Sequence, residues 1–376
     1  MKILHIASFN GNIGDNAHHN GFRKNFSEII GVRDLIWDEL EIRKFYKSWN
    51  EMKFGEDFVK LANNYDLIVI GGGNFFEICH EYSNTGCTID ISIDILEKIK
   101  VPIFFNALGF DIYKGYSNET KNNFKKFMDY LIKNSQKYFI TFRNDGSDKN
   151  YIKLYNILPK EIKIIPDGGF FLESCSDYIL NDKSKYIGIN LACDMIEKRL
   201  KNQTYEEFCK KLSDVYRKFI SINQNYKLLF FPHILTDYKI IMDVLKSFSD
   251  KEIKYNVEIA PYLTGQNSEK DFFRNYLKCD LLTGLRFHTN VCGIALNIPT
   301  IGLKSYPKLS DLYDDIGLEE RCLDVNSDNF FDDYYQELLK TIENKEKIKK
   351  EYDKIWNSLK RRQVDTYIEL RNWLNK

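Results

Sequence analysis

Short apolar runs alternate along the chain with longer segments in which apolar residues recur at helical spacing. No polar residue interrupts a run such as 67–70, which is typical of a strand covered on both faces of a parallel sheet. The pattern predicts strands at residues 2–8, 66–70, 101–105, 138–142 and 162–165, and again at 186–190, 228–231, 257–260, 280–283 and 300–303. Strands that alternate with helices in this way indicate an α/β fold with parallel sheets.

Two of the predicted helices carry clear start signals. Ser117 and Asn118 are the cap candidates at the start of a helix predicted at 118–134. The segment 204–207 has the pattern of a capping box. The two strand series predict two Rossmann-like domains, residues 1–178 and 185–330, that meet at a central cleft. The polar stretch 174–184 is the expected boundary, and the charged helices of residues 331–376 are expected to pack back on the N-terminal domain.

The composition excludes several classes of function. Lys+Arg and Asp+Glu are 54 each in 376 residues, so no net charge directs the chain to nucleic acid or to an anionic membrane. The eight cysteines form no C-x-x-C pair, and no apolar run approaches the roughly 20 residues of a membrane span. We therefore expect a cytoplasmic protein with reduced cysteines and without a bound metal. Peripheral association with the inner face of the membrane and the oligomeric state stay open.

In doubly wound domains ligands bind where the strands end, so functional residues are expected in the loops after the strands. The first such loop is G-N-I-G-D at 11–15, where the glycines permit tight turns before a helix N-terminus. Its Asp15 is either a functional carboxylate or the N-cap of that helix. The second is G-G-G-N at 71–74, which suits close approach of a ligand or a tight turn. Neither loop is a dinucleotide fingerprint or a phosphate loop.

Charged side chains follow other strands. Arg143 ends the strand at 138–142, and its guanidinium suits a carboxylate or a phosphate unless it pairs with Asp145. Asp167 follows the strand at 162–165 and either binds a ligand or makes an Asx turn. In the second half, G-L-R-F-H at 284–288 places Arg286 and His288 at a helix N-terminus, which favours anions. The arginine adds a permanent charge and the histidine a titratable proton.

In this order, the motifs resemble the polysaccharide pyruvyl transferase family. Residues 11–15 are similar to its opening G-N-x-G-D, and residues 71–73 to its central glycine run. Residues 143–145 are similar to its Arg-acid motif, 166–167 to its Pro-Asp turn, and 284–308 to its long C-terminal signature. The resemblance spans residues 11–308 and implies the two-domain architecture of GT-B glycosyltransferases.

The resemblance implies transfer of pyruvyl from phosphoenolpyruvate, a co-substrate, to a sugar, nucleotide-sugar or lipid-linked saccharide acceptor in cell-envelope polysaccharide biosynthesis. We expect the N-terminal domain to bind the acceptor and the C-terminal domain to bind the donor. His288 would be the general acid, Asp15 the base, and Arg143, Arg286 and Lys308 the donor-binding cations. No cofactor or metal is needed, because arginines can neutralise the departing phosphate. The further substrate-binding candidates are Asn12, Gly14, Gly72, Gly73, Asn74, Asp167 and His233.

Two alternatives stay open. One is a glycosyltransferase of the same fold that uses a nucleotide sugar, and the other is a non-catalytic carbohydrate-binding protein. Release of a nucleotide rather than inorganic phosphate would distinguish the first alternative. We also expect that Arg143→Ala and Arg286→Ala each weaken donor binding and leave the fold intact.

Overall fold

The strands predicted from the apolar runs belong to two parallel six-stranded sheets, one in each of two units. The structure is a computed structural model, and it describes residues 1–32, 34–173, 185–265 and 267–376. Unit 1 comprises Met1–Phe9, Phe22–Gly168 and Leu359–Lys376, and unit 2 comprises Asn10–Gly21 and Gly169–Ser358. The expected boundary at 174–184 lies outside the described residues. The three-part division of the chain and the central cleft stay predictions.

The sheet of unit 1 has the strand order 2-1-3-4-5-6, and every neighbouring pair is parallel. The five predicted strands of the first half are confirmed, with shifts only at their ends. The edge strand β2 was not predicted, because its residues are half-buried or exposed and form no apolar run. The strands are β1 (Lys2–Ala7), β2 (Ile36–Glu41), β3 (Leu67–Gly71), β4 (Ile103–Leu108), β5 (Tyr138–Arg143) and β6 (Ile162–Ile165).

Both faces of this sheet are covered, as the unbroken apolar runs predict. In β3, Ile68 and Ile70 belong to one buried apolar cluster, while Leu67 and Val69 belong to another. The second cluster also contains Tyr367 and Leu370 from the C-terminal part of unit 1, among other residues. The helices are α1 (Ile13–Ile30), α2 (Glu56–Ala62), α3 (Ile93–Lys98), α4 (Asn118–Lys133) and α5 (Ser147–Tyr155). The division between the units falls within α1.

The sheet of unit 2 has the order 12-11-10-7-8-9, again with parallel neighbours. The chain enters at the central β7 and later returns to its other side with β10. The carboxyl ends of these two strands therefore form a topological switch point, where α/β folds bind ligands. The three-residue edge strand β12 was not predicted. The strands are β7 (Lys185–Asn190), β8 (Tyr226–Phe230), β9 (Val257–Ile259), β10 (Cys279–Gly284), β11 (Thr300–Lys304) and β12 (Cys322–Asp324).

The helices begin where their capping signals predict. Ser117 caps α4 in a capping box, and Thr204 caps the first long helix of unit 2 through the N–H of Glu207 at 3.2 Å. No helix in the described ranges is both long enough and apolar enough to cross a membrane. The remaining helices are α6 (Ile196–Arg199), α7 (Tyr205–Ile222), α8 (Asp237–Leu245), α9 (Asp250–Asn256), α10 (Ser268–Arg274), α11 (Phe287–Ala295), α12 (Pro307–Ile316), α13 (Phe330–Glu343) and α14 (Lys345–Leu374).

The close packing of β3 against its neighbour β4 makes a stability test possible at Gly71. A Cβ atom at this position would lie 2.0 Å from the backbone oxygen of Asn106, and both backbones are fixed by the sheet. We expect Gly71→Ala to lower the free energy of unfolding by about 1–3 kcal/mol or more. Gly55→Ala is the control, because Gly55 has φ −136° and a Cβ there would meet nothing within 4 Å. Equal losses in the two variants, measured by denaturant unfolding, would contradict this account.

Candidate active site

Two predicted motifs of unit 2 come together at His288. Helix α11 begins at Phe287, with Arg286 as its N-cap residue and His288 in its first turn, as predicted. The imidazole lies against the first turn of α1, because a Cβ on Gly14 would be 2.5 Å from Nδ1 of His288. The second glycine of the 11–15 loop therefore makes room for the imidazole. Nδ1 of His288 lies 4.0 Å from Oδ1 of Asp15.

The start of α1 is capped by Asn12. Its Oδ1 accepts a hydrogen bond from the N–H of Gly14 at 3.1 Å. The alternative that Asp15 is the N-cap is therefore wrong, because Asp15 is the third residue of the helix. The N–H of Ile13 donates to the carbonyl oxygen of His233 at 3.3 Å, which ties this turn to the end of β8. The catalytic role of Asp15 and the binding roles of Asn12 and Gly14 stay predictions.

Two carboxylates hold the guanidinium of Arg286. Its Nε donates to Oδ2 of Asp237 at 2.7 Å, and its Nη2 donates to Oδ1 of Asp237 and, at 2.7 Å, to Oδ1 of Asp194. The other oxygen of Asp194 accepts from Nη2 of Arg199 at 3.1 Å. Burial raises the pKa of Asp194, but the charges of Arg286 and Arg199 outweigh burial and lower that pKa to about 2. Asp237 is fully buried, whereas the Asp194 side chain is 34% exposed.

His233 lies in the interior of unit 2. Its Nε2 is 2.7 Å from the hydroxyl of Tyr276 and 3.2 Å from Oγ1 of Thr289. Burial, together with the charges of Arg286 and His288, holds the pKa of His233 well below its usual value, so the imidazole is neutral. This environment is that of a histidine that supports the loop after β8. Substrate binding by His233 stays a prediction.

Lys308 lies in the first turn of α12. Its Nζ is 5.9 Å from the ring centroid of Phe287, the residue between Arg286 and His288. The nitrogen is also 5.9 Å from the ring centroid of Tyr306. The ammonium group is therefore near the start of α11, and donor binding by Lys308 stays a prediction.

In unit 1, the predicted residues of two loops form one buried ion-pair network. Nε and Nη2 of Arg143 donate to Oδ2 of Asp145 at 2.8 and 2.6 Å, and Nη1 donates to Oδ2 of Asp167 at 3.4 Å. All three side chains are at most 3% exposed. The alternative of an ion pair between Arg143 and Asp145 is thus confirmed. Ligand binding by Arg143 and by Asp167 stays a prediction.

Contacts and backbone conformation within the protein itself explain the glycine run of unit 1. Gly71 closely approaches Asn106, Gly72 has a φ of +86°, and a Cβ on Gly73 would lie 2.6 Å from the ring of Phe75. The tight-turn alternative therefore accounts for all three glycines, and binding by Gly72 and Gly73 stays a prediction. Nδ2 of Asn74 donates to Glu77 and to Asp111, each at 3.2 Å.

Gly109, which follows β4, brings the two loop systems of unit 1 together. A Cβ on Gly109 would lie 2.3 Å from Oδ1 of Asn74 and 3.1 Å from Nη2 of Arg143. The predicted residues Asn74 and Arg143 thus converge at the carboxyl ends of β3, β4 and β5. The binding role of Asn74 stays a prediction.

Sequence reasoning missed the residues that orient Arg286. Oδ1 of Asn190, the last residue of β7, accepts the backbone N–H of Arg286 at 3.1 Å. Asp194 lies in the loop that follows the same strand. The rule that ligand sites follow strands applies to β7 as well. Asn190 and Asp194 were therefore recognisable as candidates from the sequence. Asp237 was visible as a polar residue after β8, but nothing in the sequence connects it to a residue 49 positions away.

Comparison with known proteins identifies a family and a fold. The profile of the polysaccharide pyruvyl transferase family matches residues 12–305. No curated protein matches the sequence. A putative UDP-N-acetylglucosamine 2-epimerase from Listeria monocytogenes is similar in structure, with a TM-score of 0.56, 10% identity, and coverage of 94% of this chain and 90% of that chain. Alr3699/HepE from Anabaena, solved with UDP and glucose, has a TM-score of 0.53, 12% identity and coverage of 98% of both chains.

A third similar structure is MnaA from S. aureus, solved with UDP, with a TM-score of 0.53 and 10% identity. It covers 93% of this chain and 90% of that chain. At these identities the likeness shows the fold alone. The expected GT-B-like α/β fold class is confirmed.

The buried network of unit 1 predicts a strong effect of Arg143→Ala on stability. Removal of the guanidinium would leave the carboxylates of Asp145 and Asp167 buried without their cation, which typically costs about 3–5 kcal/mol. The expectation that Arg143→Ala leaves the fold intact is therefore replaced. Lys125→Ala is the control, because the Lys125–Asp129 pair is about half exposed and should contribute little. Similar unfolding free energies for the two variants would contradict the prediction.

Proposed function

The chain belongs to the polysaccharide pyruvyl transferase family, and from this premise we propose that it transfers pyruvyl from phosphoenolpyruvate to a saccharide as a cyclic ketal. Family membership makes the protein a transferase that modifies saccharides, and the donor and the ketal product are the proposal. One observation carries it: His288 lies beside Asp15 and next to Arg286, where the first turns of α1 and α11 meet.

Phosphoenolpyruvate carries a carboxylate and a phosphate, so its site must supply several fixed positive groups. The N-termini of α1 and α11 are the positive ends of two helix dipoles, which favour anions. Arg286 and Arg199 add two permanent charges, which converge on the carboxylate of Asp194. Asp194 is the partly exposed partner of Arg286, whereas Asp237 is buried. The donor carboxylate would therefore replace Asp194, while Asp237 would continue to orient the guanidinium.

The proposed reaction uses His288 as the acid. Protonation of the methylene carbon of the donor makes its central carbon electrophilic, and a first acceptor hydroxyl bonds to that carbon. The bond to the phosphate oxygen then breaks, and a second hydroxyl completes the ketal. Asp15 takes the proton of the first hydroxyl, and its proximity to Nδ1 of His288 would allow that proton to return to the imidazole. In the balanced reaction, the two hydroxyl protons end on the new methyl group and on inorganic phosphate.

The proposal is tested by incubating the chain with phosphoenolpyruvate and nucleotide-sugar or lipid-linked saccharide acceptors. The expected products are inorganic phosphate and a saccharide whose mass has increased by one pyruvyl ketal. Release of a nucleoside phosphate from a sugar nucleotide, without consumption of phosphoenolpyruvate, would identify a glycosyltransferase instead. Saccharide binding without any turnover would identify a binding protein.

We predict that His288→Gln lowers turnover far more than donor affinity. General acid catalysis typically supplies about 10²–10⁴-fold in rate, and its loss affects mainly the transition state. Phosphate release gives the rate, and calorimetry with phosphoenolpyruvate gives the affinity. A variant with near-normal turnover, or with no donor binding, would assign His288 a different role.

We predict opposite effects on donor affinity from two changes in the Arg286 cluster. Asp194→Asn removes the carboxylate that competes with the donor, so the Kd for phosphoenolpyruvate should fall by roughly tenfold, or about 1.4 kcal/mol. Arg286→Lys loses the forked hydrogen bonds but leaves a cation near the buried Asp237, so the Kd should rise. Asp243→Asn is the control, because Asp243 lies on α8 outside this cluster and pairs with Lys239 on the same helix and with Lys246 just after it. Weaker donor binding by Asp194→Asn would exclude the exchange of carboxylates.

A further inference from the structure

Three side chains of metal-binding types converge in unit 1, in the segment that follows the glycine run. One ligand atom from each of Glu77, Cys79 and His80 lies within 4.8 Å of the other two. Nε2 of His80 is 3.3 Å from Oε1 of Glu77. Within the described ranges of the chain, no other group of three or more such residues is this close. None of the three takes part in the reaction proposed for unit 2.

The backbone around this cluster is fixed by hydrogen bonds. The N–H of Ile78 donates to the carbonyl of Asp111 at 3.3 Å, and the N–H of His80 donates to the carbonyl of Gly86 at 3.2 Å. The N–H of Ser83 donates to the carbonyl of His80 at 3.0 Å. The loop is thus folded on itself, and the three side chains are held on the same short turn.

Neighbouring side chains orient the Glu77 carboxylate. Its Oε2 accepts from Nδ2 of Asn74 at 3.2 Å and from Nζ of Lys114. Oγ1 of Thr88 lies 3.4 Å from Oε1 of Glu77 and 3.3 Å from Nε2 of His80. Hydrogen bonds from neighbouring side chains of this kind fix the orientation of side chains that bind a metal. The pairing with Lys114 accounts for one carboxylate oxygen, but it does not account for the thiol and the imidazole beside the other.

The chemistry of the three groups selects the metal. Calcium and magnesium prefer oxygen ligands only, whereas a thiolate, an imidazole and a carboxylate are a typical ligand set for zinc. Cys79 is half-buried and, with Lys114, lines a cavity of about 720 Å³. An ion can therefore reach the Cys79 thiol from this cavity.

We propose that Glu77, Cys79 and His80 bind a zinc ion, with the fourth tetrahedral position open toward this cavity. Three protein ligands with one open position are the arrangement of zinc sites that bind water or a substrate oxygen. The inference is independent of the pyruvyl transfer proposed above, because it rests on other residues and is tested without measurement of activity.

The test is a zinc titration of the chelator-treated full chain in competition with a chromophoric zinc indicator. We expect about one strongly bound equivalent, in keeping with a single three-ligand site. Cobalt in place of zinc should give a thiolate-to-metal absorption band. Cys79→Ser and His80→Gln should each weaken zinc binding by more than about tenfold. Cys193→Ser is the control, because the Cys193 thiol is also half-buried but lies in unit 2 and donates to the carbonyl of Thr236.

A second measurement keeps the test valid if a variant fails to fold. In the wild-type chain, zinc should slow the alkylation of Cys79 by iodoacetamide several-fold and leave that of Cys193 unchanged, as read by peptide mass spectrometry. Absence of a strongly bound equivalent, absence of the thiolate band, or unchanged alkylation of Cys79 would overturn the proposal. A rapidly alkylated Cys79 that zinc does not protect would indicate a thiol–imidazole pair without a metal.

Discussion

The absence of a side chain at Gly14 is the constraint on which the geometry of the candidate active site in unit 2 depends. The His288 ring occupies the space that a Cβ would take, and so the start of α1 packs directly against the start of α11. Through this contact, a segment near the beginning of the chain becomes part of unit 2, although β1 before it belongs to unit 1. The same contact brings two helix N-termini close together and places Asp15 beside the imidazole. Any larger residue at position 14 would separate all of these groups.

The two arginines of the predicted motifs have the same kind of partners but different freedom to exchange them. Arg143 and Arg286 each bind two carboxylates, and Arg286 shares one of them with Arg199. Both partners of Arg143 are buried, so a ligand that displaced one would leave a carboxylate without a cation in the interior. One partner of Arg286, Asp194, is by contrast a third exposed. This difference favours Arg286 over Arg143 as the anchor of the proposed anionic donor.

The sequence was informative where one segment determines its own structure. Unbroken apolar runs predicted the central strands, and the cap candidate Ser117 and the capping-box pattern at Thr204 predicted helix starts. The edge strands β2 and β12 were missed, because an edge strand is covered incompletely and needs no apolar run. The partners of Arg286 were missed for a different reason. Asp194 and Asp237 lie 92 and 49 positions away, and only the sheet order brings them to the same strand ends.

The Glu77 cluster, for which we propose a zinc site, is of a kind that cysteine spacing does not reveal. Paired cysteines were the sequence signal considered for a metal, whereas this cluster takes one cysteine from a short turn and adds its neighbours. The glycine run gives the turn its path, because Gly71 and Gly73 bring the chain close to β4 and to Phe75. Asn74 then leaves the run and donates to Glu77. The glycine run thus leads directly to Asn74, which donates to the carboxylate that follows it.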